Sequence, residues 1–88
     1  MSVVHRELLD GTWRVDGVRH YIYRMLEHTR DEMCVWFSSA CGQHETMRGH
    51  YDFAGRWRKT DGLVLKEPRL LKGCVTCLEC LINPISEK

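Results

Sequence analysis

An 88-residue chain with 43% hydrophobic and 28% charged residues and a formal net charge of +1 has the composition of one small globular domain, spanning 1–88. Nothing in it suggests a disordered chain, and the whole chain does not have the charge of a general nucleic-acid binder. A chain of this length buries only about 60–65% of its unfolded surface, so a staple such as a metal or disulfide is expected.

The N-terminal run Met1-Ser-Val-Val-His-Arg-Glu reaches charge too early for the apolar core of a signal peptide, and no apolar run approaches the roughly 20 residues of a membrane span. The expected setting is therefore a reducing cytoplasm, bacterial or, for a phage-encoded protein, that of the host, where thiols stay free or bind metal. The first predicted element is a β-hairpin. Thr12-Trp-Arg-Val and the strand from Val18 to Leu26 flank Asp16-Gly17, a dipeptide suited to the positive φ angles of a type I′ turn. Alternation along the second strand puts Val18, His20 and Ile22 on one face, so His20 sits among apolar neighbours. Glu27 to Glu32 is a polar break, and Met33-Cys-Val-Trp-Phe-Ser reads as a third, largely buried strand ending at Ser39-Ala40-Cys41-Gly42.

A second hairpin is expected between Gly49 and Lys66, built on Arg56–Thr60, Asp61-Gly62 and Leu63–Lys66, with Trp57 as its anchor and Pro68 as its stop. After Gly73, the segment Cys74–Asn83 is read as a short helix closed by Asn83-Pro84, or as a tight cysteine turn followed by one helical turn. Ser86 to Lys88 is expected to fray. The fold class is thus α+β: a small antiparallel β-sheet of two hairpins plus a strand, with a short C-terminal helix, zinc-ribbon-like in logic.

Five cysteines make a high and odd count, which fits a disulfide framework badly. Cys74-x2-Cys77-x2-Cys80 carries the spacing at which two thiolates chelate one tetrahedral ion. Two further ligands must come from elsewhere. Cys41 follows a strand and precedes Gly42, leaving room for backbone amides to approach its sulfur, and His20 can supply a neutral imidazole. His44 is the substitute ligand, while His5, His28 and His50 read as surface residues. Cys34, inside Met33-Cys-Val-Trp-Phe, reads as a small core hydrophobe.

The pieces Val18-Arg19-His20-Tyr21, Ala40-Cys41-Gly42 and Val75-Thr76-Cys77-Leu78-Glu79-Cys80-Leu81 resemble the pattern of small actinobacterial and actinobacteriophage zinc-finger-type proteins. That resemblance implies a zinc ion held by His20, Cys41, Cys77 and Cys80. The stretch from Gln43 to Lys72 has no counterpart, and Cys34 and Cys74 depart from the pattern. Cys74 could replace Cys80. An iron–sulfur redox sensor is the competing metal reading, since three cysteines follow the bacterial cluster spacing, but the next expected cysteine is absent at Pro84.

Catalytic signatures are missing: there is no phosphate-cradling glycine loop, His-Glu-x-x-His helix or nucleophile elbow. The expected role is a non-enzymatic, structural-zinc adaptor for an unidentified protein partner, as for a phage protein engaging a host factor. The alternative is nucleic-acid binding by the basic 48–72 segment. There Arg48, Arg56, Arg58, Lys59, Lys66, Arg69 and Lys72 outnumber Asp52, Asp61 and Glu67, with Arg56, Trp57, Arg58 and Lys59 as the contact residues.

Overall fold

Asp16 and Gly17 adopt φ angles of 51° and 77°, the left-handed pair that a type I′ turn needs. Around them β2 (Thr12–Val15) pairs with β3 (Val18–His20), with Val15 opposite Val18 and Trp13 opposite His20. These features belong to a computed structural model that describes residues 3–82.

The strand expected from Val18 to Leu26 divides at Tyr21. Its second part, β4 (Ile22–His28), leaves the hairpin and enters another sheet. Around it lie β1 (Val3–Leu8), β5 (Met33–Ser39), β6 (Gly49–Tyr51) and β7 (Trp57–Lys59), in the order β1-β4-β5-β6-β7. The smaller sheet has the order β3-β2-β8, where β8 is Leu70–Leu71. Every pairing is antiparallel. The α+β class stands, with the strands shared between two sheets rather than one. The switch at Tyr21 also ends the simple alternation, because Ile22 and Tyr23 are both buried.

Three loops share one construction. In Ser39–Gly42, Asp52–Gly55 and Lys59–Gly62 the glycine N–H donates to the carbonyl three residues back, and the glycine takes a positive φ of 79°, 78° and 89° respectively. The Asp61-Gly62 turn is therefore present, but the strand after it is reduced to the single bridge between Arg58 and Val64. The fuller hairpin in this region joins β6 to β7.

The buried apolar side chains form two groups. Ile22, Val35, Phe37 and Trp57 pack on one side of the larger sheet, while Tyr23, Ala40, Val75, Cys77 and Cys80 pack where the C-terminal segment meets it. The helix α1 (Leu78–Ile82) starts four residues later than Cys74, so the tight turn followed by one helical turn is the form adopted. Asn83, Pro84 and the segment from Ser86 to Lys88 lie outside the described residues.

Candidate metal centre

Three parts of the chain deliver four side chains to one point. His20 ends β3, Cys41 sits in the glycine turn after β5, and Cys77 and Cys80 bracket the first turn of α1. Their ligand atoms all lie within 4.8 Å of one another, a group that could hold a metal ion. His20 Nδ1 stands 3.6 Å from Cys41 Sγ and 3.5 Å from Cys80 Sγ. A tetrahedral ion with sulfur at about 2.3 Å and nitrogen at about 2.0–2.1 Å separates those two ligands by about 3.6 Å. The two observed spacings equal the edges such a tetrahedron would have, and it is Nδ1 rather than Nε2 that faces the sulfurs.

Backbone bonds fix each contributor. The Arg19 carbonyl accepts from the N–H groups of both Thr76 (3.0 Å) and Cys77 (2.9 Å), while Arg19 N–H donates to Thr76 Oγ1 at 2.8 Å. This clasp lays the cysteine segment along the free edge of β3, beside His20. Ala40 N–H donates to the Tyr21 carbonyl at 2.8 Å and brings the Cys41 turn to the same place. Leu81 N–H bonds to the Cys77 carbonyl and closes the helical turn that aligns Cys77 with Cys80. Gln43 Nε2 donates to Glu79 Oε1, tying the Cys41 turn to α1.

The electrostatics differ from sulfur to sulfur. Burial disfavours the Cys41 thiolate, but hydrogen bonds from Ser39, the Gln43 amide and the Cys80 and Cys77 thiols outweigh it and lower its pKa. His44 N–H donates to Ser39 Oγ at 3.1 Å, which leaves the hydroxyl proton for Cys41 Sγ at 3.3 Å. Cys80 is fully buried, and burial foremost pushes its thiol up to about 12. His20, 2% exposed, has its pKa lowered by burial and then by the neighbouring His44. Metal binding needs a neutral imidazole, which the lowered His20 pKa favours, and deprotonated thiolates, which the surroundings favour at Cys41 and burial opposes at Cys80.

No protein-family model, curated protein or solved structure matches this chain.

Cys74 is exposed and stands outside the group, and Cys34 lies half-buried on β5, remote from it. His44 does not enter the group either; its ring packs edge-on against the His20 ring at 4.9 Å. Sequence reasoning missed the support given by Ser39 and the Arg19 clasp. The first had a signal, a small hydroxyl two residues before Cys41; the second had only the Thr76 hydroxyl, since its other two bonds run between backbone groups and carry no side-chain signature.

Of the nucleic-acid residues expected from sequence, Trp57 is withdrawn from the surface and two of the three cations already have partners. Trp57 is 2% exposed and packs edge-on against Phe37, so its ring cannot stack on a base. Arg58 is paired with Asp52 and donates to the Gly62 carbonyl, and Lys59 pairs with Asp61. Only Arg56 of the four remains exposed. Among the described residues, no helix is long and apolar enough to cross a membrane.

Proposed function

We propose that this protein is a structural-zinc domain whose ion acts as part of the fold, with the domain working as a non-enzymatic adaptor through its surface. The observation that carries the reading is the pair of sulfur–nitrogen spacings, 3.6 and 3.5 Å, which match the edges of a tetrahedral zinc site. Three thiolates and one imidazole suit zinc and complete its tetrahedron, leaving no position for a catalytic water. Ligand atoms within 4.8 Å favour one ion over an iron–sulfur cluster, whose inorganic sulfides hold its protein ligands farther apart. The adaptor role draws support from Leu78, Leu81 and Ile82, apolar side chains that α1 leaves exposed.

Metal analysis of untagged protein purified anaerobically tests the reading. One zinc per chain in a colourless solution is expected, and cobalt substitution should give the intense visible bands of a tetrahedral thiolate site. Iron with acid-labile sulfide, or a folded metal-free chain that takes up no zinc, would contradict it.

A further inference from the structure

The smaller sheet carries an arrangement that its own stability does not explain. Arg14 on β2 stands directly opposite Arg19 on β3. The Arg19 backbone N–H and carbonyl point away from β2 toward Thr76 and Cys77, so this is a non-hydrogen-bonded pair, the type that brings facing side chains closest. On the other side, β2 pairs with β8 as Thr12 to Leu71 and Trp13 to Leu70. Carrying that register one residue further sets Arg69 opposite Arg14. Arg69 itself lies one residue before β8, so the observed like-charge pair is Arg14 and Arg19, with Arg69 next in line on the continued register; like charges directly opposite are destabilising.

The cations of the larger sheet are handled differently. Arg24, Arg48, Arg58 and Lys59 each pair with a carboxylate. Among the described residues, Arg14, Arg19, Arg69 and Lys72 have no such ion pair, a property they share with the scattered Arg30, Arg56 and Lys66. Arg19 instead donates Nη1 to the Lys72 carbonyl at 3.0 Å, which holds its guanidinium beside Lys72. Gly73 permits this approach, because a Cβ there would fall 1.8 Å from that nitrogen.

A groove of about 560 Å³ lies beside the row, lined by Thr12, Tyr21, Leu71 and Lys72, with Asp10 as its one carboxylate. Tyr21 is 37% exposed there. Cations in a row on an open surface suit a linear polyanion better than a compact one, and an exposed aromatic ring beside them suits an unpaired base.

We infer that the Arg19–Arg14–Arg69 row, with Lys72 and Tyr21, is a binding face for single-stranded nucleic acid. The cations take the phosphates and Tyr21 stacks on a base. The contact is independent of base sequence, because nothing in the row reads base edges.

Fluorescence anisotropy with a labelled 15-nucleotide oligothymidylate tests the inference on the metal-loaded chain. With three phosphates engaged, affinity should fall about twentyfold between 50 and 200 mM salt. Arg14→Ala and Arg69→Ala should each weaken binding and flatten the salt dependence, with metal content and circular dichroism unchanged. Tyr21→Phe should retain affinity and Tyr21→Leu should lose it at an unaltered salt slope. Arg56→Ala, in the loop just before β7, should bind like the parent. Overturning results are no binding at 50 mM salt, arginine variants that bind like the parent, a duplex bound as tightly as the single strand, or equal competition by polyglutamate, which would mark an acidic protein as the partner.

Discussion

At the scale of single residues, the five cysteines divide by environment rather than by spacing. Cys77 and Cys80 are buried beside His20 with Cys41, whereas Cys74 is exposed although it continues the same three-residue repeat. Because the ion's binding energy is also folding energy, Cys77→Ser should abolish the cooperative thermal transition and metal retention together. A Cys77→Ser chain melting at the parent temperature would refute a structural role. Cys34→Ala should keep one metal per chain and cost about 1–2 kcal/mol in a denaturant titration, since it removes one half-buried sulfur from β5. The convergence of His20, Cys41 and the cysteine segment was legible because each stood at a recognisable local boundary: a strand face, a Cys-Gly turn and a Cys-x2-Cys repeat. The choice of Cys77 with Cys80 came from the family resemblance. The exclusion of Cys74 was not legible, because it depends on α1 beginning at Leu78.

Among the elements, the hairpin around Asp16-Gly17 was legible since its turn chemistry is local. By contrast, β1 gave no signal. It is an edge strand with nearly all of Val3–Leu8 exposed, so no alternation marks a buried face. The division of β3 from β4 was equally hidden, as no proline or glycine interrupts Val18–His28 and only long-range pairing separates them. The junction of β6 and β7 offers a sharper test. A Cβ at Gly49 would lie 2.2 Å from the Arg58 carbonyl oxygen and 2.8 Å from the Trp57 indole nitrogen. Gly49→Ala must push two paired strands apart and should cost about 2–3 kcal/mol. At Gly55 a Cβ meets nothing within 4 Å, and only the left-handed φ of 78° opposes it. Gly55→Ala should therefore cost about 1 kcal/mol. Chemical denaturation of both variants decides the ranking, and equal losses would mean that the strands around Gly49 adjust freely.

For the whole molecule, the proposed ion adds to the backbone bonds and the small buried cluster that already join the end of the small sheet, the turn leaving β5 and the C-terminal helix. Its effect on stability should follow the protons it displaces. Burial lowers the pKa of His20 below its ordinary 6.5, so the unfolded chain takes up that proton first. The contribution from His20 is present above pH 6.5 and is lost as pH falls through that value toward the folded pKa. The thiols act in the same direction. With ordinary values near 9.0 they are protonated in a metal-free, unfolded chain at neutral pH, and zinc must displace about three protons to bind. Apparent affinity should then fall about a thousandfold per pH unit near neutrality, and faster once His20 also titrates. Acid titration followed by circular dichroism and by a zinc-sensitive dye should show one coincident transition, its midpoint moving to lower pH as total zinc is raised. A midpoint indifferent to zinc, or metal leaving a chain that stays folded, would separate the ion from the fold and reduce it to a passenger.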